Sequence, residues 1–291
     1  MQAAKPDGGA GAGRIVFGTV DLPDTDIAPR LLDRYVAAGG RAIDVANVYR
    51  DGESSRAVGR WLGSRPGERQ PEIYAKGCHP PLCRPDLVAG EVDTARRLLD
   101  VERLDVFILH RDDRSYPVAD WAAALLEQVD RGAIAGFGVS NWTLERLRDL
   151  RRHLVSIGAN HLRAFSNHFS LARMVSSPWP GCLALSKEDL RAAGALHVEV
   201  LAWSSLATGF FAGRDTAHWD SPENRARRAR ASELAQRLDV STPAVALAYV
   251  LAQPAHVLPV VGTRSVDHLD EALGAAAIRL EPADLEWLEH G

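Results

Sequence analysis

The sequence has few cysteines and no long apolar run. Its 291 residues include only three cysteines, Cys78, Cys83 and Cys182. This small, odd number argues against a disulfide-bonded secreted protein and fits a reducing compartment. No apolar stretch approaches the length of a membrane span, and the N-terminus lacks the apolar segment of a signal peptide. We therefore expect a cytoplasmic protein that does not enter a membrane.

The sequence also lacks an excess of positive charge. Its net charge is −4 and its isoelectric point is about 6.2, which argues against nucleic acid or an anionic membrane surface as a partner. The basic run Arg225–Arg230 is therefore interpreted as a solvent-facing helix side. Cys78, His79 and Cys83 are the only clustered candidates for metal ligands. Zinc sites usually have four ligands, so we expect no metal.

Residues 1–13 are rich in glycine and alanine, and the sequence predicts that this segment is a disordered tail. Residues 14–291 then form a single domain, since α/β barrels of this size are often one domain. With 46% hydrophobic residues, the chain can build a large core.

Short apolar runs alternate with helix-like segments along this domain. Eight strand–helix units in this order predict a closed parallel barrel, an α/β fold of the (β/α)8 TIM-barrel class. Two connections, residues 167–186 and 204–223, are longer than usual and should lie at the mouth of the barrel. The predicted strands are Ile15–Gly18, Arg41–Asp44, Glu72–Lys76, Asp105–Leu109, Ala133–Val139, Ala164–Ser166, His197–Ala202 and Val257–Val261.

Four polar residues lie at or just after the ends of these runs. They are Asp44, Tyr49, Lys76 and His110. The C-terminal ends of parallel barrel strands meet at one mouth, so the four side chains should share one site. Lys76 is the most informative, because only three of the 34 basic residues are lysine. A phenol beside an ammonium, a carboxylate and an imidazole could donate a proton to a carbonyl oxygen.

Longer motifs give these residues a context. The chain contains Ile43-Asp44-Val45-Ala46-Asn47-Val48-Tyr49, Tyr74-Ala75-Lys76, Ile108-Leu109-His110, Gly136-Phe137-Gly138-Val139-Ser140-Asn141, Ala202-Trp203-Ser204-Ser205-Leu206 and Val261-Gly262-Thr263-Arg264-Ser265. In order and spacing these motifs resemble the aldo-keto reductase superfamily, from Ile15 to about Ala275. The resemblance implies a (β/α)8 barrel that binds NADP(H) without a Rossmann domain. In agreement, no Gly-x-Gly-x-x-Gly motif follows the first strand.

The resemblance also implies roles for the four polar residues. Tyr49 would be the general acid, with its pKa lowered by Lys76. Asp44 would hold Lys76 charged and oriented, and His110 would orient the carbonyl of the substrate. The resulting function is reversible reduction of an aldehyde or ketone to an alcohol. The partners would be a nicotinamide cofactor and a small carbonyl or alcohol substrate, whose identity and the oligomeric state are not indicated by the sequence.

The cofactor contacts are implied in the same way. Ser140 and Asn141 match the pair that binds the carboxamide, and Trp203 matches the aromatic residue that stacks on the nicotinamide. Arg264 is the candidate for the 2′-phosphate, because a guanidinium suits phosphate recognition; Arg214 and the Arg225–Arg230 run are the alternatives. The other implied contacts are Ser204, Leu206, Gly262, Thr263, His268 and Glu271.

Two positions depart from the family pattern. Relatives carry a glutamine near Ser166–Phe169 that completes the carboxamide clamp, and Asn167 is the substitute that we assign here. Where relatives have Glu-Asn against adenine, this chain has Glu271-Ala272.

A regulatory or sensor protein that binds nucleotide with little turnover is the alternative function, and a hydrolytic TIM barrel is a third, weaker possibility.

Overall fold

The computed structural model describes residues 12–214, 216–254 and 256–291. Most of the predicted disordered tail, residues 1–11, therefore lies outside the described residues. Ala12–Arg14 forms a short 3₁₀ helix in which Ala12 is buried. The ordered domain thus includes two residues that the sequence assigned to the tail.

The described residues contain eight strands, and these form one closed, fully parallel barrel in chain order. The predicted fold class is confirmed. The strands are β1 Val16–Gly18, β2 Ala42–Ala46, β3 Glu72–Gly77, β4 Leu104–Leu109, β5 Ile134–Ser140, β6 Leu162–His168, β7 Glu199–Trp203 and β8 Val257–Val261.

Ten α-helices lie within the described part of the chain, and most of them cover the outside of the barrel. Two, α7 and α10, are additional to the eight-unit pattern and pack on one another. The helices are α1 Ile27–Ala37, α2 Glu53–Gly63, α3 Val88–Leu99, α4 Val118–Asp130, α5 Leu144–Ser156, α6 Lys187–Gly194, α7 Pro222–Leu238, α8 Thr242–Leu251, α9 Val266–Gly274 and α10 Pro282–His290.

Alternation along the strands separates two cores. One set of side chains fills the inside of the barrel, and its members come from alternate strand positions: Val16, Ala42, Tyr74, Val106, Ile108, Ala164, Leu201, Leu258 and Val260. The intervening residues pack outward against the helices. Because side chains alternate with a period of two, positions two residues further along these strands also face inward, at the mouth. Those positions include Asp44, Lys76 and His110.

Two strands end two residues later than the sequence predicted. β2 continues to Ala46, which pairs with Lys76, so Asp44 lies within the strand rather than at its end. β6 continues to His168, which pairs with Trp203. Cross-strand pairing extends both strands through polar residues that end an apolar run in the sequence. The second long connection is also partly structured, since Ala207–Ala212 forms a 3₁₀ helix.

The barrel is closed by contacts between the two ends of the described chain. β1, only three residues long, pairs with β2 on one side and with β8 on the other, where Val16 lies opposite Val260. Arg14 reinforces this closure. Its guanidinium donates hydrogen bonds to the carbonyls of Leu251 and Val257, at 2.7 and 3.1 Å.

The arginine run on α7 is only in part the solvent-facing helix side that the sequence predicted, because Arg225 alone of its four arginines is exposed. Arg227 is buried and donates to Asn224, and Arg228 lies over the ring of Phe210. Arg230 donates to the carbonyls of Leu288 and Glu289 in α10. These arginines therefore attach neighbouring elements to α7, and none of them lines the cavity described below.

Candidate active site

A cavity of about 670 Å³ opens at the C-terminal ends of the strands. Fourteen of the fifteen residues that the sequence assigned to the site line it, and only Asn167 does not. The lining residues are Asp44, Tyr49, Lys76, His110, Ser140, Asn141, Trp203, Ser204, Leu206, Gly262, Thr263, Arg264, His268 and Glu271. The barrel thus brings together side chains that are up to 227 positions apart, from Asp44 to Glu271 (271 − 44).

A buried ion pair lies at the floor of the cavity. Lys76 Nζ is 2.7 Å from Asp44 Oδ1 and 2.8 Å from Oδ2, and both side chains are about 97% buried or more. Tyr49, in the 3₁₀ turn that follows β2, receives a third contact from the same ammonium, with Nζ to Oη at 3.3 Å. Because Tyr49 accepts this hydrogen bond, its own O–H remains available as a donor.

The pKa of Tyr49 is the balance of opposing effects. Burial has the largest effect and raises the pKa of the phenol, and Lys76 lowers it. Asp44 raises it again, so the net pKa lies above the usual value. The sequence correctly predicted the direction of the Lys76 effect but not the net direction. With a raised pKa, the phenol is protonated at neutral pH, as a proton donor must be.

The ion pair keeps Lys76 charged. Burial acts to lower the pKa of the ammonium, but Asp44 and Tyr49 outweigh it, and the net pKa is raised. The pKa of the Asp44 carboxyl is also raised, because burial raises it more than Lys76 lowers it. Each charged group therefore depends on the other for its stability in this buried place.

His110 lies directly after β4 and faces the same cavity. Burial, followed by the charges of Lys76 and Arg111, holds the pKa of His110 well below its usual value, so the imidazole is neutral at physiological pH. Its ring packs edge-on against Tyr49, with centroids 5.8 Å apart. Its Nδ1 is buried and has no hydrogen-bond partner among the described residues. A neutral imidazole here can donate a hydrogen bond to an oxygen without competing for the proton of Tyr49.

Ser140 and Asn141 form one side wall, where β5 ends. Ser140 Oγ donates to the carbonyl of Ser166 at 2.7 Å and accepts from Asn141 Nδ2 at 2.9 Å. Asn141 has a positive φ of 59° and lines the cavity. Its Oδ1 accepts from the backbone N–H of Leu183 at 3.1 Å. The pair is thus rigidly held beside the cavity.

Asn167 does not have the position that the sequence assigned to it. Its Oδ1 accepts from the backbone N–H of Asn141, and its Nδ2 donates to the carbonyl of Trp142. On β6, Ala164 faces the barrel interior, so strand alternation points Asn167 outward and His168 inward. Asn167 therefore supports the β5 turn instead of lining the cavity.

His168 supports the aromatic wall from behind. Its Nε2 accepts from the indole of Trp219 at 3.2 Å, so its Nδ1 carries the proton and donates to the carbonyl of Trp203 at 3.1 Å. The His168 ring lies 5.0 Å from that of Trp203. Trp203 itself lines the cavity, with Trp179 edge-on at 6.3 Å. This aromatic cluster presents a flat surface to the cavity, suited to a planar ring.

We expect His168 to make the stability of the protein depend on pH. Burial lowers the pKa of His168 to about 4, whereas an unfolded histidine titrates near 6.5. As the pH falls from about 6.5 to 4, the unfolded chain binds a proton that the folded chain does not, so stability is lost by up to about 3 kcal/mol.

Urea unfolding between pH 7 and 4.5, followed by tryptophan fluorescence, measures this loss. The pKa of His110 is also lowered, so His110 also makes stability fall at low pH. The contribution of His168 is therefore measured by comparing the wild type with His168→Gln. The variant should lose less free energy of unfolding per pH unit. Parallel pH profiles for the two proteins would contradict the assignment.

The far end of the cavity lies at the start of α9. Ser265 caps this helix by accepting from the N–H of His268. Arg264, just before the cap, is exposed and forms no ion pair within the described residues. Gly262 lies so close to β1 that a Cβ atom there would meet the carbonyl oxygen of Gly18 at 2.7 Å. A helix N-terminus beside an unpaired guanidinium suits a phosphate group.

The cavity as a whole fits a dinucleotide that carries a nicotinamide. Trp203 and Arg264 both line this cavity, the indole as a flat apolar surface and the exposed guanidinium as a cation. Trp203 Nε1 is buried without a partner in the described part of the chain. Ser204, with a positive φ of 51°, and Leu206 join these two regions along the loop after β7.

Sequence reasoning missed several lining residues. Arg111, His79, Gly18 and Asp21 all line the cavity, and His168 lies just behind it. The strand period pointed to His168, since it follows Ala164 and Ser166 at intervals of two. Arg111 follows His110 directly, but its burial depends on the loop around residues 179–182, which the sequence does not place.

Two further findings concern metal ions and membranes. Across residues 12–214, 216–254 and 256–291, no group of three or more histidine, cysteine, aspartate or glutamate side chains could hold a metal ion. In the same part of the chain, no helix combines the length and the apolarity needed to cross a membrane.

Comparison with known proteins agrees with this geometry. A model described as the aldo/keto reductase family matches residues 14–290. The aldo-keto reductase ausK of Emericella nidulans is 25% identical over 91% of this chain and 72% of its own length. The aldo-keto reductase str7 of Strobilurus tenacellus is 27% identical over 91% of this chain and 80% of its own length. An aldo-keto reductase structure from Klebsiella pneumoniae in complex with NADPH superposes with a TM-score of 0.72 at 20% identity, covering 94% of this chain and 89% of that one.

Proposed function

This protein belongs to the aldo/keto reductase family, and we propose that it is an NADPH-dependent oxidoreductase that reduces an aldehyde or ketone to an alcohol, reversibly, with Tyr49 as the general acid. The observation that carries the proposal is the contact of Lys76 with both Asp44 and Tyr49 at the floor of the cavity. That contact leaves the Tyr49 O–H free beside the neutral imidazole of His110.

Each of these residues has a part in moving one proton. NADPH, when bound, supplies the hydride for the carbonyl carbon. Tyr49 donates its proton to the carbonyl oxygen as negative charge develops there. Lys76 stabilises the phenolate that remains, because an ammonium at 3.3 Å favours the charged form. His110 donates a hydrogen bond that orients the same oxygen.

NADP(H) as the cofactor is supported by the shape and charge of the cavity. Trp203 would stack on the nicotinamide, beside Ser140 and Asn141. Gly262, Thr263 and the start of α9 would receive phosphate groups. The three cysteines are buried free thiols, which supports a reducing compartment such as the cytoplasm.

A turnover assay with NADPH and a panel of simple aldehydes tests the function directly. We expect consumption of NADPH that depends on the aldehyde. Tight NADPH binding without turnover of any aldehyde or ketone would instead favour the regulatory or sensor alternative. Failure to bind either nicotinamide cofactor would favour a hydrolytic barrel.

We expect Arg264→Ala to weaken NADPH binding by about ten- to a hundredfold, the effect of losing a charge-assisted hydrogen bond, and to leave NADH binding nearly unchanged. The loss should shrink at high salt, because Arg264 is exposed. Titration of tryptophan fluorescence measures both affinities, since a ring stacked on Trp203 should quench it.

Arg214→Ala is the matched control, because Arg214 is also an exposed arginine that lines the cavity. Equal losses for NADPH and NADH in Arg264→Ala would assign Arg264 to the pyrophosphate or to the fold. A loss of NADPH binding only in Arg214→Ala would move the 2′-phosphate contact there. The Arg225–Arg230 run is no longer an alternative, since it does not line the cavity.

A further inference from the structure

Arg111 is a buried cation in the wall of the cavity. It follows His110 directly, it is 6% exposed, and it lines the same cavity as Tyr49 and Lys76. No carboxylate forms an ion pair with it anywhere in the described residues. Burying a charge without a counterion is unfavourable, so a buried arginine of this kind indicates a missing anion.

The contacts of the guanidinium are all to uncharged acceptors. Nη1 donates to the carbonyl of His110 at 2.9 Å, and Nε donates to the carbonyl of Pro180 at 3.2 Å. Nη2 donates to the sulfur of Cys182 at 3.4 Å. A guanidinium has five N–H donors, so two remain, one on each terminal nitrogen. These two N–H groups match in number the two oxygens of a carboxylate.

The acidic residues next to Arg111 in the sequence have other partners. Asp112 pairs with Arg146 at 2.7 Å, and Asp113 accepts hydrogen bonds from Ser115. Arg111 is therefore held by the protein but not neutralised by it.

The charge balance of the inner cavity leaves one positive charge. Asp44 and Lys76 cancel, and His110 is neutral because its pKa is depressed. Two further acids line the cavity, Asp21 and Glu271. Asp21 is exposed at the rim, and Glu271 lies in α9 at the cofactor end.

Arg111 lies on the side of the cavity that holds His110. It contacts the loop around Pro180 and Cys182, and its Cα is one peptide, about 3.8 Å, from that of His110. It also acts electrostatically on Tyr49 and His110.

We propose that Arg111 binds a carboxylate of the substrate, so that the substrates of this protein are oxo-acids, in which an aldehyde or ketone and a carboxylate belong to one molecule. This inference rests on the proposed function and narrows its substrate class. A carboxylate carries one negative charge and matches the one guanidinium that is both buried and unpaired in the described cavity lining, whereas a phosphate monoester would add a second negative charge.

The test compares each oxo-acid with its own primary amide. Glyoxylate, 3-formylbenzoate and 4-formylbenzoate set the carboxylate at increasing distances from the aldehyde, and their amides have nearly the same shape without the charge. For at least one pair, we expect wild-type kcat/KM to be about ten- to a hundredfold higher for the acid, the effect of a charge-assisted hydrogen bond. The difference should lie mainly in KM.

Arg111→Gln and Arg111→Lys then identify the residue responsible. The ratio of kcat/KM for the acid to that for the amide should fall to about one in Arg111→Gln. It should recover in part in Arg111→Lys, which restores the positive charge but not the paired N–H groups of a guanidinium. If the role of Arg111 were purely structural, its replacement would lower kcat/KM for the acid and for the amide together and leave their ratio unchanged. That result, or a wild type that turns over acids and amides equally, would overturn the inference and leave the proposed function standing.

Equilibrium binding separates this inference from the proposed function. Calorimetry with 4-(hydroxymethyl)benzoate and its amide measures carboxylate affinity without turnover. If no aldehyde is reduced, the proposed function fails. Tighter binding of the acid that disappears in Arg111→Gln would still support a carboxylate site at Arg111, and equal binding of acid and amide would exclude it.

Discussion

Replacing Tyr49 by phenylalanine should lower kcat for aldehyde reduction by at least about a hundredfold, the lower end of what a general acid contributes. The substitution removes one oxygen, the one 3.3 Å from Lys76 Nζ. It leaves the buried pair of Lys76 and Asp44 in place, so the fold and the cofactor end of the cavity should be preserved. Steady-state kinetics with a reactive aldehyde, together with NADPH titration, measure the two effects separately.

Tyr116→Phe is the matched control. Tyr116 packs against Trp121, does not line the cavity, and its hydroxyl forms no hydrogen bond to the residues that the structure describes. This variant should keep the wild-type kcat. If Tyr49→Phe also keeps kcat within a few-fold of the wild type while binding NADPH normally, the proton comes from another group.

Lys76→Met should have the largest effect on stability. It leaves the carboxyl of Asp44 buried without the one cationic partner that it has among the described residues, and breaking a buried pair in this way typically costs about 3–5 kcal/mol. Urea unfolding at pH 7.5 measures the loss. The double variant Asp44→Asn/Lys76→Met removes both charges and should recover much of the stability. A single variant as stable as the wild type would mean that Asp44 is neutral or hydrated in the folded protein.

The same substitution should shift the pH dependence of catalysis. Tyr49 must be protonated to act, so reduction proceeds below its pKa and is lost as the pH rises through it. Lys76 lowers the pKa of Tyr49, so Lys76→Met should move this basic limb to higher pH and reduce kcat on the plateau. The Asp44→Asn/Lys76→Met variant should regain stability without regaining the wild-type profile. A basic limb at the same pH in both variants and the wild type would show that Lys76 does not act on the acid.

Much of the fold and the site could be predicted because local rules determine them. Strand alternation sets which residues face the barrel interior, and Asp44, Lys76 and His110 follow inward-facing apolar neighbours at intervals of two. Closure of the barrel then places the C-terminal ends of the strands at one mouth, so predicting the strands was enough to predict that these side chains meet. The same rule, applied to β6, would have chosen His168 over Asn167, but the strand appeared to end at Ser166.

Other features depend on contacts that have no local signature. The net pKa of Tyr49 is set by how deeply its oxygen is buried, and the sequence does not give that depth. Arg111 could not be distinguished from a solvated arginine until Asp112 was seen to pair with Arg146, which comes from α5. Arg230 is similar, because its partners lie in α10, a helix that the sequence did not predict.

The closure between β1 and β8 affects how the protein can be synthesised. Val16 and Val260 are paired, so the ends of the barrel meet only after nearly the whole chain exists. Bringing residues so distant in sequence together carries a large loop-closure entropy, which makes such contacts slow to form. Gly18 and Gly262, which meet at this seam, both line the cavity. A nascent chain on the ribosome therefore has an incomplete nucleotide pocket until β8 and helix α9 have emerged. NADPH can bind tightly only to chains in which the barrel has closed.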